Sequence, residues 1–587
     1  MIRIRDNKQL SLFDPWGYLG PKRRALLDAS WAGLFKTHCL PMLPVDILAA
    51  CYHKTHGCPT KELYTALGCV ILQQIHDLTD LETVQALAFD VQWHYALDLP
   101  GESDTDKYLC ERSLRNTRRR AMDNKLDETL FSQITRALVK AFDVDVQKQR
   151  LDSVHIQSNM RRLGRLRILS QCIHAFLKNL KRQRPELFTA LEKDLPELVE
   201  RYFAQKALSC FSMIKPSDSQ RKLGETAQDL VALVERFGGD TEVGSLKSYA
   251  ALCRVMGEQL DASGPVKVKP PKEVPSDSLQ NPSDPEAGYS GHKGQGYQAQ
   301  VMETYSDKEL EEGEIKPLRL ATHVAVESAH VHDSHALVPA IESAREKGLG
   351  PESVSADTPY GCDENVRKAA DLGVTLIAPA SPGLGEKKGR LGLADFTIRE
   401  KRVAACPRGY APVDTKNGKN GLRARFDATL CAGCPAREQC PAKPGKRWHT
   451  LSYDAKAIRL AKRRIFEKTE EFRDQYRWRA GVEAMFSELD RRTGAKHLRV
   501  RGLGAVRFCV VLKVLGMNIF RAARYRKARN GGKTAPGGPD SYFWRLFWVV
   551  KERIVSRRAK IFPGRMKNWI GIRISPIEPP WSTHFAT

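Results

Sequence analysis

The stretch from Tyr476 to Gly494, YRWRAGVEAMFSELDRRTG, groups residue types that could bring a metal-binding carboxylate to a reaction centre. Wound as a helix, Tyr476, Arg479, Glu483 and Asp490 share a polar stripe roughly 60° wide. Val482, Met485, Phe486 and Leu489 form an apolar stripe directly beside it. One edge therefore faces a core, and the other presents a carboxylate flanked by a cation and a phenol. An ordinary amphipathic helix with a solvated edge has the same pattern, so the rest of the chain must decide. Two further carboxylates sit in extended contexts: Asp152 within QRLDSVHIQ, and Asp357 at the end of the short β-rich stretch from Ser353 to Ala356. Taken singly, Asp152 reads equally well as a turn or edge residue, and Asp357, before Thr-Pro, as a helix cap. Taken together, hard oxygen donors with no nearby His or Cys suit Mg²⁺ or Mn²⁺, which keeps waters and is completed by substrate phosphate. Two such ions roughly 4 Å apart can activate a water or a 3′-hydroxyl and stabilise the leaving oxygen of an in-line phosphoryl displacement.

A second group is thiol-based. Cys431 and Cys434 form a CxxC pair, with Cys440 after it and Cys406 before it, a pattern that fits a structural four-thiolate Zn²⁺ site or a reduced cysteine cluster without metal. Trp448, amid Lys446, Arg447 and His449, could stack on an unpaired base. His323, His330, His332 and His335 lack a ligand spacing on one element and are expected to be structural or solvent-facing.

The elements that must position these groups can be read from periodicity. Residues 1–145 read as helices joined by short loops, with apolar residues at helical spacing over Leu63 to Ile75, Val84 to Leu97 and Leu126 to Phe142. Within them, CERSLRNTRRR places Arg112, Arg115, Arg118, Arg119 and Arg120 within about two turns, either a solvated face or a phosphate-contacting helix in a DNA-binding domain. An extended segment, Gln149 to Gln157, precedes a helical block from Arg162 to about 260. Residues 261–290, rich in Pro, Ser, Gly and Asp, read as a linker. Gly296 to Tyr305 and Leu318 to Val326 read as a β-hairpin, Ser334 to Lys347 as a helix, Ser353 to Ala356 as a strand, Asp363 to Leu372 as a helix closed by Gly373, and Val374 to Ala380 as a fifth strand. That order describes a mixed five-stranded sheet with helices on its faces.

Composition sets the class of partner. The chain has 587 residues, 94 Lys plus Arg against 69 Asp plus Glu, and a formal charge of +25. Self-repulsion of that size points to a polyanionic partner, nucleic acid before an anionic membrane surface. The expectation is no membrane-spanning run, no secretory signal and a cytoplasmic location, with most cysteines reduced in apolar helical segments.

Five motifs occur in an ordered series: LDSVHIQSN, HKGQGYQAQV, VAVESAHVHDS, SADTPYGCDEN and Tyr476-x2-Arg479-x3-Glu483. In this order they resemble the first-Asp strand, second strand, third strand, second-Asp segment and Tyr-Arg-Glu signature of bacterial insertion-sequence transposases of the Asp-Asp-Glu class, relatives of retroviral integrases. The resemblance covers most of residues 40–530. It implies a ribonuclease H-like α/β fold in which the first and fourth strands are neighbours and a helix beyond the fifth crosses their ends. Asp152, Asp357 and Glu483 then hold two Mg²⁺ or Mn²⁺ ions, and Tyr476 and Arg479 contact DNA phosphates near the cleavage point. Where the signature calls for Lys the chain has Asp490, so Arg491 is the expected replacement.

The expected organisation is a helical, DNA-binding domain over 1–145, the first part of the catalytic domain over 146–380 with a helical insertion and linker at 162–290, and a cysteine-bearing insertion over 381–460. The catalytic-Glu helix and a last long helix occupy 461–530, and a basic, aromatic tail 531–587. The implied activity is recognition of terminal inverted repeats, Mg-dependent cleavage and joining of strands in double-stranded DNA by at least a dimer, with Arg118 and Arg119 among the DNA contacts. Alternatives are a nuclease of the same fold that cuts without joining, and a catalytically silent DNA-binding protein.

Overall fold

The computed structural model describes residues 2–6, 14–203, 216–262, 264–381, 389–418 and 421–531. The tail expected over 531–587 lies, beyond its first residue, outside the described residues. Helices α1 (Leu63–Ile75), α2 (Glu111–Asp123) and α3 (Leu126–Phe142) build the N-terminal part. α1 is buried on almost every face, which its unbroken run of apolar and small residues allows.

Strand β1 (Lys148–Gln157) is central to the sheet. After it comes the helical insertion, in which α4 (Arg165–Gln183), α5 (Pro216–Phe237) and α6 (Lys247–Gln259) enclose a core of their own around Phe176, Leu230 and Leu252. The stretch read as a linker is instead packed: Leu279, Asn281, Asp284 and Ala287 are buried, and Asp284 accepts hydrogen bonds from Ser158 and Tyr297. Turn-forming residues here satisfy buried donors, so composition alone misread the segment.

Strands β2 (Gly294–Thr304) and β3 (Ala321–Ser328) form the expected hairpin, and β2 also pairs antiparallel with β1. Helix α7 (Leu337–Glu346), strand β4 (Ser353–Ala356), helix α8 (Asp363–Asp371) and strand β5 (Thr375–Ile377) come next. β4 runs parallel to β1 and β5 parallel to β4, so the spatial order is β3-β2-β1-β4-β5, with a short strand at Gly288–Ser290 added beside β2. Alternation along β1 separates two cores: Val154 and Ile156 join the large one, while Leu151 packs with Met302, Leu337 and Ile341 on the opposite face.

Residues 397–453 hold short strands that periodicity did not reveal: β6 (Thr397–Arg399) with β7 (Arg402–Ala405), and the antiparallel set β8 (Asp414–Gly418), β9 (Gly421–Asp427) and β10 (Trp448–Tyr453). Their small core around Phe396, Phe426 and Tyr453 leaves most positions polar, so the period-2 signal is faint. Helices α9 (Ala455–Glu467) and α10 (Glu470–Tyr476) lead through a 3₁₀ turn, Arg477–Ala480, into α11 (Gly481–Thr493) and then α12 (Leu503–Arg529).

Contrary to the expectation of no membrane-length run, α12 is long and apolar enough to cross a bilayer by length and composition; yet 72% of its apolar window is buried against the rest of the chain. It belongs to the large core that also holds α1, α3 and one face of the sheet. Burial on all sides makes a core helix as apolar as a spanning one.

Candidate active site

Parallel pairing of β1 with β4 ends at Leu151 opposite Ala356, and the next residue on each strand is an aspartate. Asp152 and Asp357 thus leave adjacent strands at one level. Asp152 is buried and accepts the Ser153 N–H at 2.8 Å. Asp357, with a side chain 40% exposed, caps the 3₁₀ turn Thr358–Tyr360 by accepting the Thr358 N–H at 2.8 Å. Asp357 thus acts as the cap its position before Thr-Pro suggested, with Oδ1 serving the turn.

Arg479 joins the pair. Its Nη2 lies 2.6 Å from Asp152 Oδ2 and 3.2 Å from Asp357 Oδ2, and the Tyr476 hydroxyl stands 3.4 Å from Asp357 Oδ1. Burial raises the Asp152 pKa and Asp357 raises it further, while Arg479 opposes both. Burial would lower the Arg479 pKa, but the two carboxylates outweigh it and the net shift is upward. Burial, aided by the Asp357 charge, raises the Tyr476 phenol to about 12. A guanidinium placed on buried Asp152 offsets the desolvation that its carboxylate would suffer alone.

Glu483 is exposed on the first turn of α11, whose Val482, Met485, Phe486 and Leu489 are buried as the apolar stripe requires. Among the described residues no three His, Cys, Asp or Glu side chains converge to hold one ion. The expectation that three carboxylates meet is corrected to this extent: two share a guanidinium, and the third stands on the adjoining helical turn. Arg479, expected on DNA phosphate, is paired within the chain because α10 and the 3₁₀ turn deliver it over the strand ends. In donor type the residues fit a hard divalent cation, for oxygen from one or two carboxylates is what Mg²⁺ takes from proteins.

The residues that fix the Arg479 turn escaped the sequence reading. Arg150, two residues before Asp152 on the same face of β1, donates to the Trp478 carbonyl at 2.7 Å and to fully buried Glu303. Glu303 also receives Arg521 of α12 at 2.7 Å, and Arg521 reaches Glu488 of α11 at 2.8 Å. Burial would raise the Glu488 pKa, but the surrounding arginines, Arg521 first, pull it below the ordinary range. Strand, turn and both last helices are thus tied by buried charge. The only sequence signal was an ionic residue at an inward strand position. On the other side of the sheet, Tyr360 donates to Gln300, which in turn donates to Asp333 at 2.9 Å and Glu327 at 3.0 Å.

The remaining candidates divide. Arg118, expected on phosphate, pairs with Asp80 at 2.6 Å and donates to Gln73 at 2.7 Å, joining helices within the N-terminal part. Arg119 is exposed. Arg491 is exposed and donates to the Ser487 carbonyl, while Asp490 accepts the Lys496 N–H at 3.1 Å. Asp490 therefore closes the turn after α11, which accounts for a carboxylate where the signature has Lys. His323 is buried and held neutral, its pKa lowered to about 3 by desolvation; His330 and His332 bond to Ser328 and Ser334.

Cys406, Cys431, Cys434 and Cys440 line one cavity of about 130 Å³. Tight turns shape its rim: the Gly409 N–H donates to the Cys406 carbonyl at 2.8 Å, and the Cys434 N–H to that of Cys431 at 3.3 Å. Burial first, then Cys440, Cys406 and Cys434, raises the Cys431 pKa. As placed, no three of the thiols form a metal-holding group.

Residues 405–523 match the family model described as Transposase DDE domain. The match takes in Glu483, the Arg479 turn and most of α12, while Asp152 and Asp357 precede it. No curated protein and no solved structure matches the chain.

Proposed function

We propose, from a chain that carries a transposase DDE domain over residues 405–523, that this protein is a DDE-class transposase that cuts the ends of its own DNA element and joins them to target DNA. The strand order β3-β2-β1-β4-β5 with helices on both faces supports a ribonuclease H-like catalytic domain. One observation carries the reading: Asp152 and Asp357, far apart in sequence, leave adjacent parallel strands beside the helix that bears Glu483, and that helix lies within the matched segment.

Asp152 and Asp357 on adjacent strands, with Glu483 on the helix that follows the Arg479 turn, would hold divalent cations. When bound, the metal supplies activation of the attacking hydroxyl and stabilisation of the leaving oxygen in phosphoryl transfer. The chain's own residues position the DNA strand. Arg479 offers a fork that fits phosphate geometry, and the Tyr476 hydroxyl, kept protonated, can donate to a phosphate oxygen beside it. Exposed Arg119 and Arg491, in a chain of +25 charge, add contacts to the double-stranded DNA backbone. Holding two ends together requires at least a dimer on DNA.

Incubating the protein with Mg²⁺ and a duplex taken from the DNA flanking its reading frame tests this. Joined strands are the expected product. Cut strands alone would make it a nuclease, and binding without either product would leave a DNA-binding protein.

A further inference from the structure

We infer that Arg479 is a DNA-operated gate on the cation site: it occupies the two aspartates in the free protein and releases them when a DNA phosphate takes its guanidinium. The inference rests on the metal-binding reading of Asp152 and Asp357 given above.

One nitrogen of Arg479 contacts both carboxylates, at 2.6 and 3.2 Å. A divalent cation held by the same two carboxylates would compete with that guanidinium, since two positive charges repel at so short a range. The guanidinium has little else to hold it: its Nε is buried and makes no hydrogen bond among the described residues. Its backbone, by contrast, is fixed, because Arg150 binds the carbonyl of Trp478 and is itself held by Glu303. A change of partner is therefore a side-chain swing about a rigid turn.

Exposure is uneven among the three side chains. The Asp152 and Arg479 side chains are 12% and 19% exposed, against 40% for Asp357. A phosphate arriving past Asp357 offers the guanidinium charge-assisted hydrogen bonds in place of the two ion-pair contacts it leaves. The carboxylates it vacates then face each other without a counter-charge, which favours cation uptake. DNA binding and metal binding become coupled, so that hydrolytic chemistry is armed on the substrate.

Mn²⁺ titration of the full chain, followed by the paramagnetic resonance of free ion, tests the gate with and without a 40-base-pair duplex (about four helical turns) from the DNA flanking the reading frame. If the closed form outnumbers the open one by about ten to one, DNA tightens Mn²⁺ binding by about tenfold. Arg479→Gln then binds Mn²⁺ tightly without DNA, and DNA adds little. Arg479→Lys, which keeps the charge without the fork, falls between, and thermal melts establish that both variants fold. Equal affinity of wild type and Arg479→Gln, or of wild type with and without DNA, overturns the gate alone. Undiminished Mn²⁺ binding by Asp152→Asn overturns the gate together with the metal-site reading beneath it.

Discussion

Arg479 and Asp152, 327 positions apart in the chain, meet in an ion pair of 2.6 Å. The contact joins the 3₁₀ turn before α11 to the end of β1 through a side chain, while the turn's backbone is held separately by Arg150 on the Trp478 carbonyl.

Replacing Asp152 or Asp357 by Asn, or Glu483 by Gln, should lower strand cleavage by about a thousandfold or more, the several kcal/mol that metal-ion catalysis supplies. Binding of the flanking duplex should persist. Gel-resolved cleavage products and a mobility-shift titration on the same preparations check both halves.

Glu303 has no exposed side-chain surface and faces Arg150 and Arg521. Glu303→Gln leaves buried Arg150 without its carboxylate and Arg521 with Glu488 alone, and should destabilise the protein by about 3–5 kcal/mol. The urea midpoint reads this, with the slope unchanged if the denatured state is unaffected.

A Cβ at Gly481 would stand 2.0 Å from Arg150 Nη1. Although an arginine tip is ordinarily free to move, this one is held by Glu303 and the Trp478 carbonyl. Gly481→Ala should therefore shift the turn that carries Arg479, at about 1–3 kcal/mol of stability, with a loss of cleavage greater than any loss of DNA affinity.

His76 packs among Trp31, Trp93 and Phe520, and burial lowers its pKa to about 4; His323 is lowered to about 3. Below its ordinary value the unfolded chain takes up protons that the folded chain refuses. Their contribution to stability is complete above about pH 6.5 and falls with pH toward 4, by up to about 1.4 kcal/mol per pH unit for each ring. His76→Phe should melt less steeply on acidification between pH 7 and 5; an unchanged pH dependence would contradict the assignment.

Arg118→Ala and Arg119→Ala should separate. The first removes the partner of Asp80 and Gln73 and should lower the melting temperature. The second touches an exposed residue and should leave the melt unchanged while reducing the salt slope of DNA binding by about one.

Much of the sheet was legible because strands and helices differ in period. The segment 149–157 differs from β1 by one residue at its start, Ser353 to Ala356 coincides with β4, and the apolar stripe of α11 is the buried one. Asp152, Asp357 and Arg479 could be singled out because motif order is written along the chain, whereas the 3₁₀ turn at Arg477–Ala480, read as part of one helix, could not. The short strands of residues 397–453 and the packing of 261–290 could not, since few of their residues are apolar.

Which acids, phenol and guanidinium are available, the amphipathic period that orients them and the net charge of +25 are all written in the sequence. Only the tertiary structure decided their partners. Whether Arg479 neutralises two aspartates, whether Glu303 rather than solvent receives Arg150, and whether Arg118 is free for phosphate depend on distances across elements hundreds of residues apart. Coulomb energy falls with separation in space, to which separation along the chain is no guide.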